Sequence, residues 1–138
     1  MIQGISHITL IVRDLERSAD FLRAIFDARE VYRSGDTQYS LSNEMFFLIG
    51  DIWLCIMAGE PLPKRTYNHI AFHVSERDFD QYASRIAAFG LDVCPGRPRV
   101  EGEGRSIYFY DYDNHLFELH TGNLEDRLTA YSRNEPVQ

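Results

Sequence analysis

Apolar and polar residues alternate strictly over residues 5–12, ISHITLIV. His7, Thr9 and Ile11 share one face, and Ile8, Leu10 and Val12 share the other. That is the period of two of a β-strand. After Arg13-Asp14 the spacing changes, and Leu15, Ala19, Leu22, Ile25 and Phe26 form the stripe of an amphipathic helix. Asp14 or Glu16 falls at the start of that helix, where unpaired backbone N–H groups favour a carboxylate. The pattern then predicts a strand from about Ala28, a second near Gln38 and a third over Ile52–Met57. Together these make one β-α-β-β-β unit. Gly59 to Arg65, with Pro61 and Pro63, reads as a linker.

Beyond the linker the pattern starts again. NHIAFHV at 68–74 answers SHITLIV at 6–12, and His69 falls where His7 fell. A helix is predicted over about 76–89, with Gly90 where a C-cap is wanted. A strand at Leu91–Cys94 and a Pro/Arg/Gly loop at 95–104 follow. The last element is a hairpin, RSIYFYDYDNHLFELHTG, over Arg105–Gly122. One of its faces carries Ile107, Phe109, Phe117 and Leu119; the other carries Ser106, Tyr108, Tyr110, Glu118 and His120. A soluble protein seldom gathers so many polar groups on one sheet face unless that face lines a site.

Internal repetition at this scale sets the expected architecture. The fold class is α+β, with two paired βαβββ modules in a single domain over 1–138. Module one covers about 4–57, the linker about 58–66 and module two about 67–121. A terminal helix covers about 123–131, before a frayed end. One curved sheet cannot bury both of its faces, so two modules should pair around a cleft.

In each module a histidine lies on the first strand, opposite the bulky apolar set. If the modules pair, His7, His69 and Glu118 can converge inside the cleft. Two imidazoles and a carboxylate with open positions suit a divalent metal that must also bind substrate. A strand histidine taken singly is more often structural than a ligand; its recurrence at the equivalent position changes that reading. His73 competes poorly: on a strand rising ~3.3 Å per residue it starts ~13 Å from His69. His120 shares Glu118's face and suits an outer-shell role, and His115 is expected in a solvated turn.

Composition narrows the partners. The 138 residues are 44% apolar and 25% charged, with a net charge of −7, which argues against a nucleic-acid backbone. No apolar run approaches the ~20 residues of a membrane span. The chain enters its first strand without a signal-peptide pattern, and Cys55 and Cys94 are too few for a disulfide framework; a cytoplasmic location is expected. Cys55 is expected to fill the core, as are most aromatic residues.

These features resemble the vicinal oxygen chelate superfamily, and within it the fosfomycin-resistance proteins, over residues 1 to about 131. The resemblance rests on SHITLIV at 6–12, YNHIAF at 67–72, GEGRSIYFYD at 102–111 and DNHLFELHTGNLEDRL from Asp113 into the terminal helix. Together with Ser42-Asn43-Glu44-Met45-Phe46-Phe47, the third stretch resembles the manganese-dependent epoxide-hydrolase type. The resemblance implies a homodimer with exchanged modules, His7 of one chain completing a site with His69 and Glu118 of the other. It implies Mn(2+), or another divalent ion, at those ligands, and fosfomycin and water as reactants. Glu44 takes the place of the general base, and Thr9, Ser106, Tyr108 and Arg127 that of phosphonate-binding groups. Arg99 belongs to the loop that supplies a further cation, although the transferases' lysine falls opposite Pro98. The transferases' potassium-binding loop is not reproduced, since Gly102 stands where a serine is expected. Tyr67 and Trp53 are expected to wall the substrate.

The chemistry agrees with these roles. Guanidinium and hydroxyl donors suit phosphonate oxygens. Water is a weak nucleophile that needs a carboxylate base, whereas a thiol ionises partly by itself. Other readings remain at this point. One adds glutathione or another small thiol to the same substrate. A second is a metal-free drug-binding protein of the same fold, and a third is an epimerase, glyoxalase or dioxygenase on this scaffold.

Overall fold

The computed structural model describes residues 1–136; Val137 and Gln138, the tip of the expected frayed end, lie outside the described residues. The chain forms β1 (Ile8–Val12), α1 (Leu15–Phe26), β2 (Arg29–Arg33), β3 (Glu44–Ile49) and β4 (Ile52–Ala58). It continues with β5 (His69–His73), α2 (Phe79–Phe89), β6 (Val93–Cys94), β7 (Ser106–Tyr110), β8 (Leu116–His120) and α3 (Leu124–Arg133). The two sheets have the same order, β1-β4-β3-β2 and β5-β8-β7-β6. In both, the first strand pairs parallel with the last, and the remaining pairs are antiparallel. The repeat seen in the sequence is thus a repeat of topology. Among the described residues, no helix is long and apolar enough to cross a membrane.

Two compact units result. Unit one comprises residues 1–65 with 111–114, and unit two comprises 66–110 with 115–138. In unit one, Phe21, Leu22 and Ile25 of α1 are buried together with Leu10, Val12, Met45, Phe47, Leu54 and Ile56. The helix starts at Asp14, whose side chain accepts from the Arg17 N–H, and ends on Asp27 in the left-handed region at φ 52°. In unit two, Phe117 stacks between Phe72 and Phe109, at 6.3 and 5.9 Å, with Phe79 and Ile86 of α2 also buried. Gly90 closes α2 at φ 80°, as its position predicts.

The expected strand near Gln38 does not form. Residues 34–43, SGDTQYSLSN, make an irregular connection, and the strand begins at Glu44. Serine, glycine, aspartate and asparagine favour local turns over a ladder. The segment is tied down at its ends, where Ser34 Oγ accepts from Glu44 N–H and Ser42 Oγ donates to Ala58 O. Two other edges also shift: α2 begins at Phe79 rather than near 76, and β6 contains only Val93 and Cys94.

Candidate active site

Each unit presents one sheet face built for chemistry. In unit one, register places Thr9 beside Cys55, and Cys55 beside Phe46. His7 lies one residue before β1, and its ring packs on Trp53 at 4.3 Å. Its Nδ1 is 3.0 Å from Ser6 Oγ. Glu44 opens β3 on this face and is 7% exposed, so its carboxylate is largely withdrawn from water. The Cys55 thiol donates to Glu44 Oε2 at 3.4 Å. Burial, and then the Glu44 acceptor, push that thiol up to about 12, so it stays protonated and able to donate; a hydrogen bond from Thr9 opposes the shift weakly. Cys55 is therefore more than a core filler. It links Thr9 to the carboxylate. Among the described residues, the Trp53 indole N–H is buried without a hydrogen-bond partner on the same face.

In unit two, β8 lies between β5 and β7, which places Glu118 between Ala71 and Tyr108, with His69 two residues before Ala71 on β5. Its carboxylate is 3% exposed, with Oε1 3.0 Å from His69 Nε2. His69 Nδ1 lies 2.7 Å from the Tyr67 carbonyl. A carbonyl can only accept, so Nδ1 carries the proton and a neutral ring turns its Nε2 lone pair toward the carboxylate. Two acceptors then face one another, an arrangement that a cation satisfies. A backbone carbonyl fixing the far nitrogen is also the usual support of a metal-bound imidazole. The donor set of this pair fits a divalent ion.

Glu118 Oε2 is held by other groups. Ser106 Oγ lies 2.6 Å from it and 2.7 Å from His120 Nδ1, and Arg127 Nη2 lies 3.3 Å from His120 Nε2. A consistent direction runs through these contacts: Arg127 donates to His120, His120 to Ser106, and Ser106 to Glu118. Burial, followed by the Arg127 and Arg99 charges, lowers the His120 pKa against the pull of Glu118, which favours this neutral ring. Burial acts to raise the Glu118 carboxyl, but hydrogen bonds from Ser106 and Tyr108 and the Arg99 charge outweigh it and hold the group below the usual carboxylate range. Arg99 Nη2 donates to Tyr108 Oη at 2.7 Å and approaches Glu118 Oε2 at 3.4 Å. The Tyr67 hydroxyl donates to the same phenol at 3.2 Å. Burial and the Tyr67 contact raise the Tyr108 pKa to about 12.

The sequence-predicted residues therefore fall into two sets. His7, Thr9, Glu44 and Trp53 share unit one; Tyr67, His69, Arg99, Ser106, Tyr108, Glu118 and Arg127 share unit two. Among the described residues, no three His, Cys, Asp or Glu side chains gather around one point. Ser106, expected to hold substrate, contacts Glu118 and His120 in the structure. His115 is half-buried and partnered rather than solvated. In the 97–99 segment, Arg97 and Arg99 both bind Glu103. Glu103 is a residue that sequence reasoning missed: a lone acid between two glycines has no periodic signal. A cavity of about 290 Å³ in unit two is lined in part by Phe72, His120, Leu124 and Arg127. Another of about 680 Å³ in unit one opens beside the start of α1 and includes none of the predicted site residues.

Residues 4–119 match the Glyoxalase/Bleomycin resistance protein/Dioxygenase superfamily. The chain is 66% identical over 133 residues to the fosfomycin resistance protein FosX of Mesorhizobium japonicum, covering 96% of each sequence. It is 60% identical over 131 residues to FosX of Listeria monocytogenes, covering 95% of this chain and 98% of that one. A crystal structure of a mutant of the Listeria protein, complexed with Mn(II) and 1S,2S-dihydroxypropylphosphonic acid, superposes with a TM-score of 0.87 at 58% identity, covering 95% of this chain and 99% of that one.

Proposed function

Because this chain belongs to the Glyoxalase/Bleomycin resistance protein/Dioxygenase superfamily, and there to its fosfomycin resistance proteins, we propose that it hydrates the epoxide of fosfomycin at a manganese ion held by His7, His69 and Glu118. The observation that carries the metal assignment is the 3.0 Å approach of His69 Nε2 to Glu118 Oε1, with Nδ1 of the same ring turned to the Tyr67 carbonyl. When bound, the ion supplies a Lewis acid beside the epoxide and phosphonate oxygens. The diol phosphonate bound with Mn(II) to the Listeria relative is the product that water addition to such an epoxide yields.

Glu44 takes the proton of the attacking water. It is buried on the same face as Thr9, and the Cys55 thiol fixes one of its oxygens, leaving the other to receive the proton. Arg99 and Arg127 supply guanidinium donors for the phosphonate, with Tyr108 and Thr9 as hydroxyl donors. Ser106 and His120 keep Glu118 oriented, so that Oε1 faces the ion. Tyr67 and Trp53 exclude water around the reacting carbon atoms. The described modules act as one domain in a homodimer, each site taking His7 from one protomer and His69 with Glu118 from the other. The enzyme works in the cytoplasm, which fits two free thiols, one of them buried beside the base.

Phosphorus NMR of fosfomycin incubated with the manganese-loaded protein, with and without glutathione or cysteine, tests the reading. A diol phosphonate forming at equal rates in both samples is expected. Product that forms only with thiol reassigns the enzyme as a transferase and leaves Glu44 without a task. No product, together with no stoichiometric manganese uptake in equilibrium dialysis, returns the metal-free drug-binding reading.

A further inference from the structure

Glu103 is fully buried, at 0% exposure, yet belongs to a loop. A carboxylate removed from water needs compensating charge and hydrogen bonds, and the surroundings supply them. Arg97 Nη2 binds Oε1, Arg99 Nη1 donates to the same oxygen at 3.2 Å and Tyr131 Oη donates at 3.1 Å. Arg127 Nε lies 3.7 Å away, and Oε2 accepts from the Val100 N–H at 3.1 Å, closing the loop on itself. The loop is also pressed against the end of β8: a Cβ on Gly122 would stand 2.5 Å from the Glu103 carbonyl oxygen.

The contacts are directional. Glu103 grips Arg99 by Nη1, while Nη2 of the same guanidinium reaches Tyr108 and approaches Glu118. It approaches Arg127 from the Nε side, while Nη2 reaches His120. Both cations therefore turn their second edge toward the polar face of β7 and β8. Without the carboxylate, neighbouring guanidiniums of like charge repel and their long side chains regain rotamer freedom.

We propose that Glu103 is a positioning residue for substrate binding, presetting Arg99 and Arg127 for the phosphonate dianion. This rests on the assignment of those two arginines above. The chemistry it serves is binding of an anion, not proton transfer, so its loss should separate KM from kcat.

The test measures steady-state hydration of fosfomycin by the manganese enzyme. Glu103→Gln keeps the shape and removes the charge. It is expected to raise KM roughly 10–100-fold, the equivalent of losing one hydrogen bond to a charged group, and to leave kcat within a few-fold. Arg99→Ala and Arg127→Ala are run in parallel and should each raise KM. Adding Glu103→Gln to Arg127→Ala should then cost less than it does alone, because the two act through one contact. If both arginine variants raise KM but Glu103→Gln leaves it unchanged, or lowers kcat alone, the positioning role is overturned and the arginine assignment stands. If neither arginine variant moves KM, both ideas fall. Should Glu103→Gln not fold, Glu103→Asp keeps the charge but is one methylene too short to reach both guanidiniums. A raised KM at retained kcat in that variant then supports the role, and an unchanged KM overturns it.

Discussion

The two oxygens of Glu118 serve different ends. Oε2 is occupied by Ser106 and approached by Arg99, which leaves Oε1 to face His69. Glu44 is arranged by a similar device with weaker parts: the Cys55 thiol occupies Oε2 and burial isolates the group. A carboxylate so placed is suited to one proton transfer. Glu44→Gln retains the volume and the face but cannot accept that proton. Hydration should fall by ~10²–10⁴-fold, the usual contribution of a general base, while manganese affinity and the KM for fosfomycin stay near wild type. Phosphorus NMR for turnover and electron paramagnetic resonance for manganese check the two halves. Hydration within a few-fold of wild type would remove Glu44 from the mechanism. The sequence alone makes His7, His69 and Glu118 stand out, because alternation gives a side chain its face and the repeat matches the histidines. Glu44 emerges only through resemblance to relatives, since a single acid before an apolar run carries no periodicity. The part played by Cys55 depends on cross-strand register, which no local pattern records.

At the scale of elements, long periodic segments are legible and short polar ones are not. Helix α1, the first strands β1 and β5, and the β7–β8 hairpin follow from spacing alone, because each buries one face. The strand expected near Gln38 rests on too few apolar residues to enforce it, and that stretch is an irregular connection. The 95–104 loop shows a further limit, because its order comes from Glu103 and from a close approach of backbones at Gly104 and Gly122. The Gly104 position has φ 100°, and a Cβ there would stand 2.7 Å from the Gly122 nitrogen. Gly122→Ala must push the loop away from β8, because its Cβ would meet a backbone carbonyl rather than a movable side-chain tip. A loss of about 1–3 kcal/mol is expected, as for an overpacked core site. Urea denaturation checks it, and an unchanged midpoint would mean that the loop rests elsewhere. Exposed Gly35, whose added Cβ meets nothing within 4 Å, serves as the control through Gly35→Ala.

For the molecule as a whole, the division of the proposed ligands between two units is the decisive feature. Unit two holds His69 and Glu118 with their supports, and unit one holds His7 beside Trp53 together with Glu44. In the proposed homodimer, symmetry makes two equal pairings of such faces at once. If His7 of one protomer serves the His69–Glu118 pair of the other, two inactive variants can restore each other. In a heterodimer of His7→Ala and Glu118→Ala chains, one site combines both lesions and the other carries neither. Co-expression of the two chains under different affinity tags, with purification through both tags, isolates that heterodimer. It should hydrate fosfomycin at about half the wild-type dimer rate and bind one manganese ion per dimer, because one of its two symmetric sites is whole. Each homodimer alone should be inactive. Were each chain to form its site from its own residues, every site in the heterodimer would lack one ligand and no activity would return. The mixed dimer therefore separates a shared site from a private one without needing to know how strongly either lesion acts by itself.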